Sequence, residues 1–179
     1  MKKITEADLT VLFSEEKIQE KIAELGKNLN QSYQKEELYL ICVLKGSVMF
    51  MVDLAKHLKM PVRMEFIRLS SYGSGFTSTG KVRAVDIALP DLNDKNVLIV
   101  EDIIDTGHTA RFLVDFINHN FKPKTLKFCS LMDKKCKREV EIDADYHCFE
   151  IDDKFLVGYG LDYDGYYRNL PYVGYVKEV

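Results

Sequence analysis

Residues 97–110, VLIVEDIIDTGHTA, set acids, hydroxyls and one glycine in an order that can do chemistry. The apolar run 97–100 reads as a strand buried on both faces. It delivers two adjacent carboxylates, Glu101 and Asp102, to the edge of a sheet. Asp105, Thr106, Gly107, His108 and Thr109 follow where a helix must begin. Free N–H groups at a helix N-terminus, joined by a glycine and two threonine hydroxyls, make a cradle for phosphate. Acids beside such a cradle suit a ligand carrying both phosphate and sugar hydroxyls, and they offer hard oxygen donors to Mg2+. An isolated Glu-Asp pair has a plainer reading, a solvated strand end before a capped helix. The phosphate-cradle residues that follow are what lift this pair above it. His108 has neither the spacing nor the partner that proton transfer would need.

The elements that must hold these residues are legible in the apolar spacing. Ser14 before Glu15 and Glu16 starts a helix whose acids favour the N-terminal dipole. Ile18, Ile22, Leu25 and Leu29 then recur on one helical face. Leu38–Leu44 (LYLICVL) is a second doubly buried strand, Lys45-Gly46-Ser47 punctuates it, and residues 48–58 read as a helix. Residues 62–69 and the alternating residues 82–89 read as strands. Between them, the Gly-, Ser- and Thr-rich residues 70–80 read as a long hairpin loop or flap. A helix is expected from about Thr109 to Asn120 and a strand over residues 125–131. A basic segment at residues 134–138 and short β-like pieces at 146–151 and 155–157 complete the pattern. Strand–helix–strand alternation with apolar strands predicts an open α/β sheet, mostly parallel, which binds ligands at the carboxyl ends of its strands.

Length and composition bound the rest. A chain of 179 residues, 46% hydrophobic, fits one domain with a real core. A net charge of −3, from 25 Lys+Arg against 28 Asp+Glu, gives no general affinity for nucleic acid or anionic membranes. The longest apolar run, Leu38–Leu44, is too short to span a bilayer. The opening MKKITEADLTVLF lacks an apolar h-region, so no signal peptide is expected. The four cysteines show no CxxC or zinc spacing and are expected as free thiols in a reducing cytoplasm. Cys42 and Cys129 sit in apolar runs, whereas Cys136 lies among Lys134, Lys135, Lys137 and Arg138, cations that favour a thiolate.

The segment VEDIIDTGHTA resembles the phosphoribosyl pyrophosphate signature of the type I phosphoribosyltransferases, in particular their hypoxanthine-guanine branch. The resemblance extends over nearly the whole chain. Leu44-Lys45-Gly46 resembles the family's pyrophosphate-contacting element, and Ser71-Tyr72 the pair in its flexible active-site loop. Leu131-Met132-Asp133-Lys134 resembles the element whose lysine meets the purine six-position oxygen. The segment FLVGYGLDY, residues 155–163, resembles the hood that stacks on the base, and Arg168 and Arg138 resemble cationic contacts to pyrophosphate.

This resemblance implies a single type I phosphoribosyltransferase domain over residues 1–179. A small hood would be built from the N-terminal segment and the part from about 150 to 179. It implies transfer of a phosphoribosyl group to hypoxanthine or guanine, giving IMP or GMP plus pyrophosphate. Lys45, Gly46, Ser71, Tyr72, Glu101, Asp102, Asp105, Thr106, Gly107, His108, Thr109, Arg138 and Arg168 would bind the phosphoribosyl pyrophosphate or nucleotide. Asp105 would take the purine N7 proton; Lys134, Phe155, Leu156 and Asp162 would bind the purine. Glu101, Asp102 and Asp162 would hold Mg2+, and the Leu44–Lys45 peptide bond is expected cis. A cytoplasmic homo-oligomer, dimer or tetramer, acting on small molecules rather than nucleic acid or membrane completes the implication. Three other readings compete with it. A nucleotide-sensing RNA-binding regulator on the same fold would want a basic surface. A receiver-like signalling domain lacks the phosphate cradle, and an adenine- or pyrimidine-specific relative is disfavoured by the regions around Lys134 and Phe155.

Overall fold

The computed structural model describes residues 8–71 and 82–176. In chain order they form β1 (Leu9–Phe13), α1 (Glu15–Tyr33), β2 (Leu38–Leu44), α2 (Val48–His57), β3 (Val62–Ser71) and β4 (Val82–Asp86). Then come β5 (Asn96–Ile104), α3 (His108–Asn120), β6 (Thr125–Asp133), β7 (Tyr146–Glu150), β8 (Leu156–Val157) and β9 (Val173–Val176), with a short 3-10 turn at Lys135–Lys137. Tyr72 and most of residues 70–80 lie outside the described residues.

The central sheet has the order β4-β3-β2-β5-β6-β7, in which five strands run parallel and β4 pairs antiparallel with β3 at the edge. Of its two middle strands, β2 and residues 97–100 of β5 carry only apolar or aromatic side chains because both faces are covered. Leu40, Cys42, Leu98 and Val100 point to the side of α1 and α2 and pack with Ile18, Ile22, Leu29, Phe50 and Leu54. The alternate residues Ile41, Val43, Val97 and Ile99 meet Ala110, Leu113 and Ile117 of α3. Each Val, Leu, Ile or Phe among them, once fully buried, contributes about 1.5–3 kcal/mol by leaving water. The helix α1 begins where its cap predicts, with the Ser14 hydroxyl accepting from the Lys17 N–H at 3.3 Å.

Topology decides where a ligand can sit. From β2 the chain crosses through α2 to β3 on one side; from β5 it crosses through α3 to β6 on the other. The order reverses between β2 and β5, and the crevice opened at their carboxyl ends is the binding place of such sheets. Lys45 and Gly46 follow β2 there, while Glu101 and Asp102 lie near the end of β5.

A second, antiparallel sheet joins the two ends of the described chain in the order β1-β9-β8. Leu9, Val157, Tyr163 and Leu170 form its own small core, and Phe13 stacks on Phe149 at 3.9 Å to tie it to the main body. Among the described residues no helix is long and apolar enough to cross a membrane.

Burial also ranks the thiols. Cys42 and Cys129 are buried and their pKa values are raised by that burial; Cys148 is pushed up to about 12 for the same reason. Cys136 alone is exposed. Alkylation of the native protein followed by mass spectrometry is therefore expected to modify Cys136 first. Labelling of Cys148 at the same rate would overturn that order.

Candidate functional site

Three backbone segments meet at the switch point with no room for side chains. The Leu44–Lys45 peptide bond is cis, and Gly46 follows it. A Cβ on Gly46 would fall 1.5 Å from Asp102 Oδ2, so the turn rests directly on that carboxylate. From the other side, Gly160 (φ +98°) comes so close that a Cβ there would lie 1.9 Å from the Gly46 carbonyl oxygen. Ser47 is fully buried and its hydroxyl donates to the Val43 carbonyl at 2.7 Å, fixing the entry into α2.

Glu101 and Asp102 are neighbours on a strand, so their side chains point to opposite faces. Asp102 faces Gly46, and Glu101 lines a concavity with Asp105, Thr106, Gly107 and Thr109. Glu101 is buried, and its Oε2 has no hydrogen-bond partner among the described residues. Burial, reinforced by the charge of Asp102, raises its pKa well above the ordinary range. Burial likewise lifts Asp102 to about 6, although backbone N–H bonds, including one from Ile103 at 2.8 Å, and the Arg168 charge pull the other way.

The loop after β5 turns into α3 through Gly107 (φ +88°), which caps the helix with no side-chain bond to the first-turn N–H groups. The helix starts one residue earlier than its apolar spacing predicts, at His108. Behind the loop, Thr106 O accepts from Glu139 N at 2.9 Å and Val140 N at 3.3 Å. Asp105 O accepts from Arg138 Nη1 at 2.6 Å, and Arg138 Nη2 pairs with the buried Asp133. The imidazole of His108 pairs with Glu139 at 2.9 Å.

On the far side of the crevice, the Lys134 side chain is only 8% exposed. Its ammonium donates to Lys154 O at 3.1 Å and lies 3.8 Å from Asp105 and 3.7 Å from Asp153. One residue beyond Lys154, Phe155 is half exposed and meets Tyr163 edge-on at 5.6 Å, while Leu156 is buried in β8. Arg168 donates to Gly160 O and pairs with Asp162, both at 2.6 Å; the other Asp162 oxygen accepts from Gly165 N at 2.8 Å. Lys45 is exposed and has no ion-pair partner among the described residues. Ser71 ends β3 three residues past Arg68, which sits opposite Leu44, so its backbone lies on the same edge. Asp133, Asp153 and the packing role of Gly160 had no signal in spacing alone, though Asp133 and Gly160 fall inside the motifs already quoted.

Among the described residues no three His, Cys, Asp or Glu side chains gather into a metal cage. Mg2+ does not require one, since it keeps several waters and binds through one or two carboxylates plus ligand phosphates. Glu101, with its unpartnered buried oxygen, and Asp102 supply oxygens of that kind.

The profile of the family described as "Phosphoribosyl transferase domain" matches residues 10–164. A protein named hypoxanthine-guanine phosphoribosyltransferase from Streptococcus thermophilus is 44% identical over 168 residues, covering 94% of this chain and 93% of the relative. A crystal structure of a hypoxanthine phosphoribosyltransferase from Staphylococcus aureus superposes with a TM-score of 0.91 at 40% identity, over 99% of this chain and 96% of that one. One of a hypoxanthine-guanine phosphoribosyltransferase from Bacillus anthracis gives 0.88 at 45% identity, over 94% and 98%.

The raised pKa of Asp102 makes a signed prediction. Its folded value of about 6 exceeds the ordinary 3.8, so the ionised carboxylate is less favourable folded than unfolded. That penalty is absent at low pH, grows as pH rises from about 4 to 6, and persists above. Asp102→Asn should therefore stabilise the unliganded protein at about pH 7.5, by on the order of 1–3 kcal/mol, with the gain shrinking near pH 4.5. Denaturant unfolding at the two pH values reads this; a variant less stable than wild type at the higher pH would overturn it.

Proposed function

The chain belongs to the phosphoribosyl transferase family, and we propose that it joins hypoxanthine or guanine to phosphoribosyl pyrophosphate, releasing pyrophosphate and forming IMP or GMP. The observation that carries this reading is the placement of Asp105 and Lys134, 3.8 Å apart, beside a helix N-terminus with free N–H groups at the sheet's switch point. A proton acceptor, a fixed cation and a phosphate seat are the three things this transfer asks of a protein.

The 5′-phosphate sits on the N–H groups of Thr106, Gly107, His108 and Thr109, where the helix dipole also favours an anion. Sugar hydroxyls donate to Asp102 and to Glu101, whose Oε2 has no donor of its own among the described residues. Departure of pyrophosphate builds positive charge on the ribose ring, and carboxylates held in a crevice favour that charge. Lys45 and the backbone of Gly46 meet the pyrophosphate, with the Arg168 charge close by. Glu101, Asp102 and Asp162 are the residues that would hold Mg2+, and the ion would supply positive charge to the leaving group. Lys134 donates to the six-position oxygen, Phe155 offers its open face to the purine, and Asp105 takes the N7 proton. The β1-β9-β8 sheet and the segment through residue 168 serve as the hood, and Ser71 with Tyr72 as part of the active-site loop. Free thiols accord with a cytoplasmic protein. The exposed Met49, Val52, Met64 and Phe66 accord with self-association.

A base panel with phosphoribosyl pyrophosphate and Mg2+ tests the reading. Hypoxanthine and guanine should both react, and adenine, which faces the ammonium with an amino group, should be poorer by ~10⁴. Lys134→Ala should lower efficiency with hypoxanthine and narrow the gap to adenine. Asp105→Asn should keep the fold while turnover drops by roughly 10²–10⁴. Efficient use of adenine by the wild type, or near-normal turnover of Asp105→Asn, would remove the role assigned to Lys134 or to Asp105.

A further inference from the structure

The loop from Asp105 to Gly107 has two sides, and the structure shows what occupies the rear one. Asp105 O is held by Arg138, and Thr106 O by the N–H groups of Glu139 and Val140. The stem of Arg138 runs directly beneath the glycine: a Cβ on Gly107 would fall 3.0 Å from Arg138 Cδ and 2.9 Å from a Val140 methyl. Asp133, 1% exposed at the end of β6, fixes the guanidinium from below. The Arg138 side chain is itself only 13% exposed. In a trans peptide the C=O and the following N–H point in opposite directions. Holding Asp105 O to the rear therefore aims the Thr106 N–H forward, and holding Thr106 O does the same for Gly107.

We infer that Arg138, locked by Asp133, is a positioning residue that braces the phosphate-binding loop from behind and is not a contact to pyrophosphate. The inference rests on the phosphate seat proposed above and assigns a cause to its geometry. Both terminal nitrogens of Arg138 already serve Asp105 O and Asp133, and its Nε is buried without a partner among the described residues, so the group is turned into the protein. Asp133, almost wholly buried, sets the arginine.

The test measures three affinities by calorimetry on the full chain: inosine monophosphate, inosine, and Mg2+-pyrophosphate alone. The ratio of monophosphate to nucleoside affinity reports the phosphate seat; pyrophosphate reports the opposite side of the crevice. Arg138→Met and Asp133→Asn should each reduce that ratio about tenfold or more, with pyrophosphate affinity unchanged within about twofold, and Arg138→Lys should lie between. A direct contact gives the reverse pattern: Arg138→Met weakens pyrophosphate and spares the ratio, whereas Asp133→Asn releases the arginine and spares both. Either of those outcomes overturns the brace. Should Arg138→Met melt below the assay temperature, Arg138→Lys and Asp133→Asn carry the same two readouts. A wild type that binds inosine monophosphate no better than inosine sinks the phosphate seat itself, separately from the brace.

Discussion

The contact on which the site depends is the stack of Asp102, Gly46 and Gly160. Asp102 Oδ2 lies where a Gly46 side chain would begin, and the Gly46 carbonyl lies where a Gly160 side chain would begin. Three parts of the chain, at residues 46, 102 and 160, thus touch through backbone and one carboxylate. A methyl at either glycine would drive them apart by more than an ångström, and Gly160 also needs its positive φ. Because Gly46 leads through buried Ser47 into α2, and Gly160 lies in the segment between β8 and β9, the stack registers the C-terminal segment against the sheet edge. A second tie reinforces it. The Tyr159 hydroxyl donates to Asp53 of α2 at 2.6 Å, and Gln19 of α1 donates to the same oxygen at 2.8 Å. Burial alone would raise the Asp53 carboxyl; the bonds from Lys56, Tyr159 and Gln19 outweigh it and hold the pKa below the ordinary value.

The same stack explains why two acids at the strand end are energetically awkward without ligand. Burial lifts the Asp102 carboxyl despite its backbone N–H bonds, and Glu101 keeps one buried oxygen unpartnered among the described residues. An orphaned buried acceptor costs about 1–3 kcal/mol. Structures tolerate such groups chiefly at functional sites, where a ligand supplies what the protein withholds. A ribose with two adjacent hydroxyls, or a cation, has the matching chemistry. Carboxylates raised by burial in this way differ from those of the surface ion pairs, such as Glu24 with Lys21, where hydrogen bonding to lysine lowers the acid.

Much of this was legible in the sequence, for reasons that differ from element to element. The stripe Ile18, Ile22, Leu25, Leu29 is buried as the 3.6-residue period requires. The apolar runs in β2 and β5 became the central strands because only a doubly covered strand dispenses with alternation. β1 and β9 escaped notice: they are short, and each pairs with the other end of the chain, so no turn signals them. The motif around Glu101 announced acids and a phosphate cradle. Spacing could not say that Asp102 and Glu101 would diverge to opposite sides of β5. Nor could it say that Arg138 and Arg168 would be committed to Asp133 and Asp162, since ion-pair partners are chosen by tertiary packing.

Those commitments separate the cations in and behind the crevice into two kinds. Arg138 and Arg168 are held by a carboxylate and a carbonyl each, so their charges are fixed before any ligand arrives. A guanidinium suits this because its planar fork satisfies two acceptors at once. Lys45 stands apart, exposed on a turn and without an ion pair among the described residues. Its ammonium must be ordered when an anion binds, and ordering a lysine side chain costs up to about 2 kcal/mol of rotamer freedom. Fixed charges act on a transition state without reorganising, whereas a mobile one can follow a departing anion. A crevice that must release pyrophosphate has use for both. The arginines set the field around Asp102 and the loop backbone, and the lysine provides a contact that can form and break in each turnover.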